Sequence, residues 1–238
     1  MRNANRQSKS SGWALALICA LMLLFVLFGC DSTGAGGSDD GGKSDSGEND
    51  SGDTGGSDST GEALVLPEGT ITGWNLGTRD DVVVILVDVN ADPVQGYGPV
   101  TVEGDGEFPG MTIDPPPSQA LLSWEDFRDA YEYELLSVPV SVTDESVRFQ
   151  SFCYLDVQYT GDLIVRGTDD QTVAIGWIYV DGPTHISINA FDTGDYEVTI
   201  DLELSTGWNG AVFQQDDINK VVTLETDTEP AGTAWILE

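Results

Sequence analysis

Basic side chains are scarce: nine Lys and Arg stand against 41 Asp and Glu in 238 residues, a formal charge of −32. Nucleic acid binds proteins through clustered Lys and Arg that release counterions, so neither it nor an anionic lipid headgroup suits this surface. Histidine occurs once, as His185, and cysteine three times, as Cys19, Cys30 and Cys153. Zinc sites need several His or Cys ligands at set spacings, and no His pair of that kind occurs. The sequence also lacks a Gly-x-Ser-x-Gly elbow and a phosphate-binding loop, so no local motif assigns nucleophilic or nucleotide chemistry.

What is present begins with the apolar run Trp13 to Cys30, WALALICALMLLFVLFGC, preceded by Arg2, Arg6 and Lys9 with no acid among them. A positive end, an apolar core and a small residue before the boundary make up an export signal. The run approaches the ~20 residues of a membrane-spanning helix, but Gly29 directly before Cys30 favours cleavage. Leu27-Phe28-Gly29-Cys30 resembles the lipobox of bacterial lipoproteins, with Phe28 at a position that usually carries Ala or Ser. The resemblance implies a signal peptide over 1–29 and a diacylglycerol on the sulfur of Cys30. Such a palmitate-bearing anchor holds the protein at the bacterial cell membrane or envelope. Asp31 follows the lipidated residue; in enterobacterial members an Asp there retains the protein at the inner membrane. Inner membrane, outer membrane and cell surface all stay open.

Residues 30–63 form the next unit. From Asp31 to Glu62 the chain is nearly all Gly, Ser, Asp and Thr, with nine acids and Lys43. It has nothing apolar to bury and is expected to be disordered. As a tether it spans roughly 30–35 Å root-mean-square, and more where its charges repel.

Residues 64–238 hold the other 32 acids against Arg79, Arg128, Arg148, Arg166 and Lys220, a charge of −27. With Cys19 in the signal and Cys30 committed to lipid, Cys153 has no partner for a disulfide and reads as a small buried hydrophobe. Thr70 to Trp74 and the β-branched run Val82 to Val87 read as strands, the latter buried on both faces. Val100 to Val102 and Phe108 to Ile113 flank Glu103-Gly104-Asp105-Gly106, a hairpin turn. Asp105-Gly106-Glu107-Phe108 resembles the turn of carboxypeptidase-regulatory-like, prealbumin-like sandwiches. Pro115 to Pro117 stop the sheet, and Ser123 caps a short helix whose Trp124, Phe127 and Tyr131 form one apolar stripe.

Beyond Ser137 all is strand and turn. Phe149, Cys153, Leu155, Val157 and Tyr159 share one parity between Val147 and Tyr159. Tyr196, Val198, Ile200, Leu202 and Leu204 alternate with polar residues, giving one dry and one wet face. Further strands are expected at 172–180, 185–190, 211–214, 221–226 and 234–237. The spacing predicts an all-β domain, an antiparallel β-sandwich of about twelve strands and one short helix, either single or divided into two subdomains near 115–137. Its Gly-Thr-Ile-Thr-Gly-Trp opening and Leu-x-Leu-x-x-Gly-Trp-Asn hairpin are similar to uncharacterised β-rich envelope lipoproteins.

His185 alternates with Ile186 and Ile188 and is expected on the wet face of an edge-like strand, without an orienting partner in sequence. Asp88, Asn90 and Asp92 begin like a calcium loop, in which alternate oxygens converge on a hard cation. Pro93 then stands where the sharp-turn Gly belongs and Pro99 where the bidentate Glu belongs, so an ordinary acidic β-loop competes with the metal reading. Asp169-Asp170 and Asp216-Asp217 are similar candidates. No other cofactor is indicated.

Two functional readings follow. In one, a lipid-anchored, non-enzymatic β-sandwich binds an envelope protein or extracellular ligand through its loops. In the other, a carboxylate-dependent hydrolase acts on envelope polymer or polysaccharide, with Tyr97, Trp177 or Trp208 stacking on sugar. A cleft holding two carboxylates and an aromatic wall would mark the second; the oligomeric state stays open. The anchor is tested by metabolic palmitate labelling of cells: the expected result is label on the wild type and none on Cys30→Ser.

Overall fold

The computed structural model describes residues 61–88, 90, 92–130, 140–226 and 229–238. The apolar run, Cys30, the tether up to residue 60 and Tyr131 lie outside the described residues, as does part of the 115–137 boundary. Among the described residues no helix is long and apolar enough to cross a membrane.

Among the described residues, sixteen strands, one short α-helix and one 3-10 turn (Ser118–Ala120) are formed. The strands are β1 (Leu64–Leu66), β2 (Gly69–Thr72), β3 (Arg79–Val87), β4 (Pro93–Val102), β5 (Glu107–Phe108), β6 (Met111–Ile113), β7 (Ser141–Val142) and β8 (Phe149–Phe152). They continue with β9 (Tyr154–Val157), β10 (Asp162–Gly167), β11 (Val173–Val180), β12 (Thr184–Asp192), β13 (Glu197–Leu204), β14 (Gly207–Asp216), β15 (Val221–Glu225) and β16 (Ala234–Leu237). The helix α1 spans Trp124–Ala130. Strands β1 and β6 pair as a separate ribbon. All others join one fourteen-stranded sheet ordered β4-β3-β9-β10-β11-β14-β15-β13-β12-β7, with β8 added on β11 and β16 linking β10 to β2.

The sheet carries two main cores. The first gathers Val82, Val84 and Leu86 of β3, Leu155 and Val157 of β9, Ile164, Trp177 and Trp235. The second gathers Phe127 of α1, Phe149, Ile178, Ile186, Ile188, Ile200, Leu202 and Leu204. β11 serves both, sending Ile175 and Trp177 into the first and Ile178 and Val180 into the second. Its sequence, VAIGWIYV, has no ionisable group apart from the tyrosine phenol, as befits a strand covered on both faces. β8 and β14 divide likewise, Phe152 and Val212 facing one core, Phe149 and Ala211 the other.

The expected alternation holds in β13, where Ile200, Leu202 and Leu204 are buried and Asp201 and Glu203 exposed. The helix begins as expected too: Asp126 N–H donates to Ser123 Oγ at 3.1 Å, and the hydroxyl returns a bond to Asp126 Oδ2 at 2.8 Å. Trp124 and Phe127 both pack on Phe149, with ring centroids 5.5 and 5.0 Å away.

Four local outcomes differ from the pattern in the chain. The Glu103–Gly106 turn closes, with Gly106 N–H donating to Glu103 O at 2.8 Å, but its flanks part: β5 pairs with β2 and β6 with β1. Gly106 lies at φ +86° against Trp74, whose Cβ would sit 2.7 Å from an added methyl, so only glycine fits. The stretch from Val147 to Tyr159 breaks at Cys153, because β8 pairs with β11 whereas β9 pairs with β3 and β10. Tyr159 falls in the following turn at φ +68° and is 95% exposed. β4, rich in Pro and Gly, is nonetheless a ten-residue strand, tolerated because it sits at the edge of the sheet. Finally, β15 inserts between β13 and β14, so that β13–β15 is parallel within a mainly antiparallel sheet; β16–β2 is a second parallel pair.

Trp235 closes the first core. It is fully buried, stacks 6.0 Å from Trp177, meets Phe108 edge-on at 5.1 Å, and donates its indole N–H to Pro67 O at 3.0 Å. Arg166 lies over its ring at 5.0 Å. Trp235→Ala is expected to lower the unfolding free energy by about 3–5 kcal/mol, read from urea denaturation followed by circular dichroism.

Candidate functional site

The acidic candidates divide between loops that close on themselves and one open cleft. Asp88 ends β3. Its Oδ1 accepts from the backbone N–H of Asn90 at 2.8 Å and of Asp92 at 3.0 Å, while Asp88 N–H donates to Asp92 O at 3.0 Å. Asn90 and Asp92 are therefore brought to Asp88 through their main chains. The two N–H groups hold the Asp88 carboxyl below its usual range. A cation placed here would compete with those donors for the same oxygen.

The loops 168–172, 193–196 and 216–220 leave the same end of neighbouring strands and are tied together. Asp170 Oδ1 accepts from the hydroxyls of Thr168 and Thr172 at 2.7 and 2.8 Å. Asp216 Oδ1 accepts from the N–H groups of Ile218 and Asn219, both at 2.9 Å. Between loops, Gln215 N–H donates to Thr172 O and Glu197 N–H to Lys220 O, each at 2.8 Å. The Tyr196 hydroxyl donates to Asp217 Oδ1 at 2.5 Å, Gln215 Nε2 reaches the same oxygen at 2.7 Å, and Lys220 Nζ lies 4.8 Å above the Tyr196 ring. The phenol and the amide lower the Asp217 carboxyl, and the carboxylate in turn raises the phenol. Asp169 is exposed in the turn beside Asp170. Sequence spacing carries no trace of the Tyr196–Asp217 brace, because the partners sit on different hairpins; Tyr196 was legible only as an apolar-parity residue.

The cleft lies at the opposite end of β4, lined by Glu68, Thr70, Thr101, Glu103, Asp105 and Glu107. The one aromatic ring in its lining, Phe108, is fully buried against Trp235. The aromatics proposed for sugar stacking are elsewhere. Trp177 is 6% exposed and stacks on Phe152 at 5.0 Å; Trp208 packs edge-on against Phe152 and Tyr179. Tyr97 is half-buried, and burial pushes its phenol up to about 12. These rings serve as core.

His185 lies on the outward face of β12, as its parity predicts, and its Nε2 is 2.6 Å from Asp201 Oδ1 across the strand pair. Among the described residues only β7 flanks β12 on its other side, over two residues, so the strand is edge-like as expected. Cys153 is half-buried at the β8–β9 corner, beside Val165, Ala174, Phe213 and Ile236 in an apolar recess. Three arginines are engaged with acids: Arg79 with Asp81, Arg148 with Asp181 at 2.7 Å, and Arg166 with Glu229 at 2.6 Å. Among the described residues no three His, Cys, Asp or Glu side chains converge into a set able to hold a metal ion.

No family model, curated protein or solved structure shows a significant match to this chain.

The Asp88 turn has a defined pH signature. Its folded value lies below the 3.8 of the free carboxyl, so its stabilisation is complete above 3.8 and is lost as pH falls through the lowered value. Asp88→Asn is expected to melt below the wild type near neutral pH. The difference in Tm should shrink as the pH falls below 3.8 and through the lowered folded value, beneath which both side chains are neutral.

Proposed function

We propose that this chain is a lipid-anchored cell-envelope protein whose β-sandwich is a non-enzymatic surface module, binding another envelope component or an extracellular ligand through its loops. The observation that carries the reading is the cross-braced rim, in which Tyr196, Asp217, Gln215 and Lys220 join separate hairpins. Loops fixed before contact lose little conformational freedom on binding, which favours recognition. Their carboxylates are occupied in holding the loops, a structural use rather than proton transfer. In this reading the diacylglycerol on Cys30 supplies the anchor, and residues 31–62 supply reach.

Charge selects the kind of partner. A domain at −27 attracts a cationic surface, accelerates its encounter at low ionic strength and repels nucleic acid. The hydrolase reading draws on the Glu68–Glu107 cleft, where carboxylates gather without an exposed ring to stack on sugar.

Crosslinking in intact cells followed by pull-down tests the binding reading. Wild type is expected to capture a discrete envelope partner, and the double variant Tyr196→Phe, Asp217→Asn to capture roughly tenfold less, a loss of about 1.4 kcal/mol in affinity. Equal capture by both would move the contact away from the rim.

A further inference from the structure

Asn209 precedes Gly210, and this is the one Asn-Gly pair in the sequence. Such a pair is chemically vulnerable, because glycine has no side chain to hinder its backbone nitrogen from reaching the asparagine side-chain carbon. The fold places it at the corner where β13 gives way to β14. Asn209 Oδ1 accepts from Ser205 N–H at 2.9 Å. Its Nδ2 donates to Ser205 O at 2.8 Å, to Gly207 O at 2.9 Å and, at the longer distance of 3.4 Å, to Ile178 O. One amide thus ties the corner to itself and to β11. Asn209 and Gly210 also sit in the ladder opposite Ile178 and Trp177. Attack on Asn209 Cγ would require the side chain to leave every one of these bonds.

We propose that Asn209-Gly210 is a latent self-modification site, protected while the β13–β14 corner is closed and converted once it opens. The Gly210 nitrogen attacks Asn209 Cγ, forming a C–N bond and a five-membered succinimide. The C–N bond to the side-chain amide breaks, and that nitrogen leaves with the transferred proton as ammonia. Water then adds across one of the two ring C–N bonds, giving aspartate or isoaspartate; water is the only co-reactant and no electrons are transferred.

The product cannot restore the corner. An amide offers both donor and acceptor, whereas a carboxylate only accepts. The carbonyls of Ser205, Gly207 and Ile178 lose their donor and face a negative charge, so re-closure leaves polar groups unpaired. In isoaspartate the main chain runs through an extra methylene, which also shifts the ladder against β11. A reversible local opening therefore becomes permanent.

Gly210 supplies the control. An added Cβ there meets no heavy atom within 4 Å, so Gly210→Ala leaves the Asn209 bonds in place while obstructing ring closure. The experiment ages the full chain in detergent at mildly alkaline pH, with and without urea, and follows residue 209 by peptide mass mapping. Conversion is expected to be at least about tenfold slower in the folded protein than in urea, because it waits for local opening. Gly210→Ala should resist conversion in both conditions and keep the wild-type Tm, and Asn209→Asp should melt lower. Equal conversion rates with and without urea, or an Asn209→Asp protein as stable as wild type, would overturn the proposal.

Discussion

Burial of β11 on both faces is the constraint around which the domain is arranged. A strand carrying Trp177 on one side and Ile178 on the other cannot lie at a surface. Each side must be covered by a different part of the chain. Residues of β3, β9 and β16 share the core on one face; residues of α1, β12 and β13 share the core on the other. Stability is consequently shared: the two cores meet at the same three strands, β8, β11 and β14, and a defect in one of those strands is felt in both. At about 25 cal/mol per Å² of apolar surface removed from water, such doubly covered strands are the most productive positions in the chain.

The peripheral loops follow from that interior. Because the strands are held rigidly, their acidic connections can be finished with local devices, a carboxylate accepting from the N–H groups or hydroxyls two to four residues away. Asp88, Asp170 and Asp216 all do this. Each is a small contribution in water, but together they convert negative charge into backbone order. The molecule's large self-repulsion is thereby placed where it also does structural service.

Legibility in the sequence tracked the range of the interaction. The wet face at His185, the dry stripe of β13, the Ser123 cap and the Glu103–Gly106 turn depend on residues within a few positions, and each was readable. β4 was obscured by its prolines and glycines, whose tolerance depends on the strand lying at an edge, a property of topology. The break at Cys153 is invisible because the apolar parity of Phe149, Cys153, Leu155 and Val157 runs through it in the sequence, while Phe149 faces the second core and Leu155 and Val157 the first. Trp177 and Trp208 could not be assigned to core or surface from periodicity, since a strand covered on both faces has no wet side to contrast. The Tyr196–Asp217 brace depends on two hairpins meeting, and no local pattern encodes that meeting.

The position of Trp235 has a consequence for how the chain is handled before it folds. Its aromatic neighbours and the rest of the first core, from Leu66 to Val212, all precede it in the order of synthesis. β10 and β2 likewise wait for β16 to lie between them. A chain emerging from its N-terminal side therefore holds an unsealed interior until residue 235 has been made. Contacts of such long sequence separation form slowly. Late sealing leaves apolar strands uncovered for longer, the interval in which a nascent chain is most exposed to wrong partners.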